Sequence, residues 1–306
     1  MTPDFIPFDA AEPLLSWAAL TEALAEGHRM PRAEIGDTFL YRNPDTLLSR
    51  AAWIDGMGIA VKTATIFPGN PAHDKPTVNG GVNLYSDGDG MLEAIVDFHL
   101  VTKWKTAGDS LLAAKILARP DSQTVLIVGA GTVAHSLYQA YSSAFPEARF
   151  QVWNRSSEGA ARMAAAFPDV QPVSDLEAAV RGADIVTSAT MSTQPLIRGE
   201  WLRPGQHIDL IGAYRPDMRE ADDAALARAR VFVDSRDTTL DHIGELKIPL
   251  ENGVIARDDV VADYYDLPAG RFARGSSDEI TLFKNGGGAH LDLMTSRYIL
   301  QAWRAR

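Results

Sequence analysis

The chain has 306 residues, long enough for two domains of ordinary size with a full core and no covalent staples. Its 29 Lys and Arg stand against 40 Asp and Glu, a net charge of −11 that no basic stretch reverses locally, which argues against nucleic acid or an anionic membrane as partner. The absence of cysteine removes disulfides, thiolate metal sites and thiol nucleophiles together. The start, Met1-Thr2-Pro3-Asp4-Phe5-Ile6, shows no basic region followed by an apolar one, and no apolar run approaches the roughly 18 residues of a membrane span, so the expected setting is the cytoplasm.

In chain order, Leu14, Leu15, Trp17, Leu20 and Leu24 recur at helical spacing and stop at Gly27, predicting a helix over residues 14–27. Short β-rich runs at 39–41, 47–53, 58–67 and 81–85, divided by Asn-Pro, Asp-Gly and Pro-Gly-Asn-Pro turns, predict a small, mostly antiparallel sheet. Asp87-Gly88-Asp89-Gly90 has calcium-loop ingredients, but Met91 and Phe98 fall where such a loop needs oxygen ligands, so it reads as a hairpin turn before a strand over 91–96. A helix over 100–117 follows and stops before Arg119-Pro120. From Thr124, apolar runs at 124–128, 150–153, 184–188, 207–212 and 231–233 alternate with helical patterns, the signature of a doubly wound α/β domain with a buried parallel sheet. That domain ends near Phe283, and Leu291, Met294, Tyr298 and Leu300 or Ile299 mark the inner face of a closing helix over 289–303. The expected division is a Rossmann domain of residues 120–285 and a smaller, discontinuous α+β domain of residues 1–119 and 286–306.

The sharpest motif is Gly129-Ala130-Gly131-Thr132-Val133-Ala134, placed directly after an apolar strand and opening a helix. There Gly129 permits the tight turn, Gly131 lets the backbone approach a pyrophosphate, and the helix N–H groups at Thr132 and Val133 face the anion. The next strand ends Trp153-Asn154-Arg155-Ser156, without the acid that would hold the ribose hydroxyls of NAD(H). A guanidinium between amide and hydroxyl side chains suits a 2′-phosphate, so the expected cofactor is NADP(H) rather than NAD(H). Lys62 and Lys105, each flanked by apolar residues, are either functional cations or snorkelling side chains, and Arg50 is a further candidate. Glu220, Asp222 and Asp223 beside Arg215 and Arg219 read as a solvated helix start. The histidines show no metal-ligand spacing, and no Gly-x-Ser-x-Gly elbow occurs.

Taken in order, Val61-Lys62, Phe67-Pro68-Gly69-Asn70, Pro76 to Gly80, Lys105-Thr106-Ala107, Leu117-Ala118-Arg119-Pro120, the Gly129 to Ala134 loop, Ile211-Gly212-Ala213 with Arg215-Pro216, and Ile280 to Lys284 resemble the ornithine cyclodeaminase/mu-crystallin family. The resemblance spans about residues 45–300 and implies a homodimer whose first domain supplies the interface and part of the substrate site. It implies chemistry at an amino or imino carbon next to a carboxylate. By that resemblance Lys62 faces the substrate carboxylate with Lys105, Arg50 and Tyr214 border the substrate, Thr106 touches the cofactor phosphate, Thr190 and Gly212 lie near the nicotinamide, and Lys284 belongs to the cofactor side. Lys105 stands where the family usually has Arg, a point charge instead of a fork. Tyr214 stands where cyclodeaminases carry Asp, which points to the ketimine reductase branch, and Asn285 stands where many relatives have Ser. The expected activity is NADPH-dependent reduction of pyrroline-2-carboxylate or piperideine-2-carboxylate to proline or pipecolate. The alternatives are an amino-acid dehydrogenase, an ornithine cyclodeaminase-type activity, and a non-catalytic NADPH-dependent binding protein for a small ligand.

Overall fold

The computed structural model describes residues 2–306. The chain divides into two compact units, residues through Lys105 with Gly288–Arg306, and Thr106–Gly287. The division falls inside the helix Phe98–Leu117, not at Pro120. Within the second unit, Asn285 Nδ2 donates to the Thr106 carbonyl (3.0 Å) and Ser110 Oγ to Asp209 (3.1 Å), which ties the later turns of this helix to that unit's sheet.

The first unit holds a six-stranded sheet in the order β1-β6-β5-β4-β3-β2. Its strands are β1 (Asp4–Ile6), β2 (Glu34–Arg42), β3 (Asp45–Ile54), β4 (Gly58–Ile66), β5 (Val78–Tyr85) and β6 (Leu92–Asp97). β2 to β6 pair antiparallel, as their turn-divided sequence predicts, while β1 adds in parallel at the edge of β6. The turn at 87–90 joins β5 to β6, and the Asp87 carboxylate accepts from Trp53 Nε1 (3.0 Å) and the Gly56 N–H (2.9 Å). Alternation along β4 buries Ala60, Lys62 and Ala64 on one face. The closing helix, Ala289–Arg304, packs against β3, β4 and β5 with Leu291, Met294, Ile299 and Leu300 buried. Lys62 therefore stands on a core face and needs a partner there. At the other edge, all nine residues of β2 are exposed.

The second unit is an eight-stranded parallel sheet ordered β13-β12-β14-β11-β10-β7-β8-β9. Its strands are β7 (Thr124–Val128), β8 (Arg149–Trp153), β9 (Val170–Pro172), β10 (Ile185–Ser188), β11 (His207–Leu210), β12 (Arg230–Val233), β13 (Val260–Ala262) and β14 (Thr281–Lys284). Leu126, Val128, Val186, Ile208, Leu210 and Leu282 form its buried core, because strands covered on both faces are apolar throughout. From β7 the order runs outward to β8 on one side and β10 on the other, which opens a crevice at their carboxyl ends. No helix among the described residues is long and apolar enough to cross a membrane.

Candidate active site

β7 runs into Gly129, whose N–H donates to the Trp153 carbonyl (2.8 Å) and whose φ of 107° is in the region that favours glycine. A Cβ at Gly129 would lie 2.8 Å from the Ala189 carbonyl oxygen, whereas one at Gly131 would meet no protein atom within 4 Å. Gly131 precedes the helix Thr132–Ala144, which has no side-chain cap, so the first-turn donors of Thr132 and Val133 are left for an anion. A cavity of about 290 Å³ opens here, lined by residues 129–131, 153–156, 189–192 and Leu196. Asn154 Nδ2 donates to the Ser156 carbonyl (3.0 Å), and Ser156 Oγ caps the helix Ser157–Ala166 by accepting from Gly159 N–H (3.1 Å). Arg155 between them is exposed and makes no hydrogen bond or ion pair among the described residues. Open backbone at Gly131 and uncapped first-turn donors fit the pyrophosphate of a pyridine dinucleotide.

The structure gives Thr190 and Gly212 a shared anchor. Thr190 donates through its N–H (2.7 Å) and hydroxyl (2.8 Å) to Glu220 Oε1, and Gly212 N–H donates to Oε2 (2.6 Å). Glu220 is fully buried, which corrects its reading as part of a solvated helix start; Asp222 caps the helix Asp223–Arg228 by accepting from Ala225 N–H (2.9 Å), and Asp223 is the acid of its first turn. Its run of charged neighbours concealed it, since spacing does not show which member turns inward. Lys284 does not line the cavity. Its ammonium is fully buried and donates to the Leu210 (2.9 Å) and Asn285 (2.7 Å) carbonyls; burial lowers its pKa, opposed by Glu220, Glu245, Asp234 and Asp209. Lys284 thus supplies charge within the core rather than a direct contact from that cavity wall. Asn285 bonds the Thr106 carbonyl and Ser110 Oγ (2.9 Å), and Tyr214 is 58% exposed with Arg215 over its ring.

The first unit gathers the remaining candidates. Lys62 Nζ donates to Asp292 Oδ1 (2.9 Å) and Thr102 Oγ1 (3.0 Å), with the Phe98 ring 4.7 Å away. Both partners of the ion pair are buried, which rules out the snorkelling alternative for Lys62. Burial lowers the Lys62 pKa, reinforced by Lys105 and Arg50 and opposed by Asp292. Against the upward push of burial, Lys62, Lys105 and Arg50 hold the Asp292 carboxyl below the usual carboxylate range. Arg50 lies opposite Lys62 across β3 and β4, but its guanidinium pairs with Asp37 (2.6 Å). Lys105, nearly buried, makes no hydrogen bond or ion pair among the described residues. With Lys62 matched by Asp292 and Arg50 by Asp37, Lys105 is the cation left to receive an anion. Asp292 escaped sequence reading, although its helical spacing from Ser296 and Ile299 places it on the buried face.

The model of the ornithine cyclodeaminase/mu-crystallin family matches residues 52–306. The chain is 53% identical over 304 residues to the Delta(1)-pyrroline-2-carboxylate reductase of Paracoccus denitrificans, covering 97% of this chain and 96% of that one. It is 32% identical over 246 residues to the ketimine reductase mu-crystallin of Rattus norvegicus, covering 80% and 76%. Among solved structures, Thermococcus litoralis Delta(1)-pyrroline-2-carboxylate reductase in complex with NADH and L-proline matches with a TM-score of 0.89 at 25% identity, over 98% of this chain and 97% of that one.

Proposed function

We propose, from the premise that the chain belongs to the ornithine cyclodeaminase/mu-crystallin family, that it reduces a cyclic α-imino acid with NADPH, converting pyrroline-2-carboxylate to proline or piperideine-2-carboxylate to pipecolate. The observation that carries the reading is the cation set of the first unit, the Lys62–Asp292 pair with Lys105 unpaired beside it, in a chain 53% identical to a reductase of that name. A carboxylate one bond from C=N matches that set.

NAD(P)H, when bound, supplies the hydride that adds to the C=N carbon. Lys105 holds the substrate carboxylate as a point charge, which orients the ring. Lys62, kept in one rotamer by Thr102 and Asp292, carries the proton that the nitrogen gains, and its lowered pKa makes it a readier donor than an exposed lysine. Tyr214 and Arg50 are assigned to the substrate border, and Thr106 to a cofactor phosphate. Tyr214 brings no carboxylate to the position where the cyclodeaminases have one, which favours reduction over cyclodeamination.

The preference for NADPH rests on Arg155, exposed at the end of β8 where an NAD(H) site has an acid. Arg155→Ala removes a charge-assisted bond and raises the KM for NADPH about tenfold or more while leaving that for NADH within about twofold, as initial rates with each cofactor would show. The same reading takes the chain as a cytoplasmic homodimer, in which a second copy covers β2 and its exposed Phe39, Leu40 and Tyr41. Product analysis tests the chemistry: proline formed from pyrroline-2-carboxylate supports it, and ammonia released from ornithine without imine reduction overturns it.

A further inference from the structure

Glu220 and Glu245 are fully buried carboxylates that the reaction above does not use. Glu220 accepts four hydrogen bonds, from the Ser188 hydroxyl (2.6 Å), the Thr190 N–H and hydroxyl, and the Gly212 N–H. Ser188 ends β10 and Gly212 follows β11, so one side chain ties together the loops that leave two adjacent strands. The first of those loops, residues 189–192, is a wall of the dinucleotide cavity. The two loops also touch directly: a Cβ at Gly212 would lie 1.9 Å from the Thr190 carbonyl oxygen. Glu245, on the helix Gly244–Glu251, holds the anchor in turn, accepting from the backbone N–H groups of Glu220 (2.7 Å) and Ala221 (3.0 Å).

Every group that reaches the Glu220 carboxylate is a donor, so the site needs an acceptor on both oxygens, which an ionised carboxylate provides and an amide does not. We propose that Glu220 is a positioning residue of the dinucleotide site, fixing the 189–192 wall through Thr190 and Gly212, and that Glu245 acts on that wall through Glu220. This inference rests on the reading of the crevice as an NAD(P)H site. Neither glutamate touches the dinucleotide. Their effect is on the place of the groups that do.

The test is NADPH titration by quenching of intrinsic tryptophan fluorescence, with Trp153 in the cavity wall, on the full chain as wild type, E220Q, E245Q and the double variant. The expected result is a Kd raised at least about tenfold by E220Q and about threefold by E245Q, the scale of losing bonds to a charged group. E245Q adds nothing in the E220Q background, and the imino-acid KM at saturating NADPH stays within about twofold in each. Should E220Q fail to fold, E245Q and Ser188→Ala carry the same expectation of weaker NADPH binding. Variants that melt at lower temperature yet bind NADPH within twofold of wild type would overturn the proposal, leaving Glu220 as a core anion. A wild type that binds NADPH but reduces no imino acid defeats the catalytic reading and leaves this one to be decided by Kd, and a wild type that binds neither dinucleotide defeats both.

Discussion

At the scale of single residues, the first unit is governed by what a lysine on a covered sheet face requires. An unpaired ammonium there would carry a desolvation cost of several kcal/mol, and Asp292 offsets it from the closing helix. Asp292→Ala removes the partner and leaves the charge, so it should destabilise the protein by about 3–5 kcal/mol in urea unfolding. Lys62→Met with Asp292→Leu should recover most of that loss while leaving the protein without reductase activity. A single variant as stable as wild type would show that the pair is not buried in solution. The contrast with Lys105 matters, because two lysines that look alike in sequence differ in whether a counter-ion is already present. The sequence shows both lysines by their apolar neighbours, but pairing between residues 62 and 292 is invisible to any local pattern.

At the scale of elements, the turn after β7 separates two glycines with different duties. Gly131→Ala adds a methyl to open space with an ordinary φ, so the melting temperature should hold or rise slightly while NADPH affinity falls, because the methyl occupies ground that the pyrophosphate needs. Gly129→Ala meets the Ala189 carbonyl and a left-handed φ and should cost about 1–3 kcal/mol of stability before any cofactor is added. Thermal melts with and without NADPH distinguish the two. A Gly131→Ala protein that binds NADPH as wild type would remove the close-approach role. This part of the site was legible because strand, glycines and helix are contiguous. β9 and β13, at three residues each, fall below the length at which periodicity speaks. Glu220 was misread for a related reason: Asp222 and Asp223 next to it are the ordinary acids of a helix start, and only the folded chain shows that Glu220 points the other way, under Thr190 and Gly212.

At the scale of the whole molecule, buried titratable groups give stability a pH dependence of opposing signs. Burial pushes His28 down to about 4, so as pH falls from 6.5 through 4 the unfolded chain takes up a proton that the folded one refuses, and stability is lost. Burial, with Glu220 adding to it, pushes Glu245 up to about 7; between its ordinary value near 4.5 and 7 the folded protein keeps a proton that the unfolded chain has released, so this contribution is full at the acid end and lost as pH rises through 7. Urea midpoints at pH 5 and pH 7 should therefore move closer to a simple acid loss in Glu245→Gln, and the acid loss itself should shrink in His28→Gln. Unchanged slopes would mean that these groups are solvated. Composition and alternation sufficed to read a doubly wound domain and an antiparallel companion, because both are written in runs of adjacent residues. The substrate and cofactor assignments meet in one assay, NADPH and NADH oxidation followed by absorbance with pyrroline-2-carboxylate and with piperideine-2-carboxylate. Rapid oxidation of NADPH in preference to NADH, with proline or pipecolate as product, is the expected result, and tight NADPH binding with no turnover of either imino acid would contradict the reductase reading.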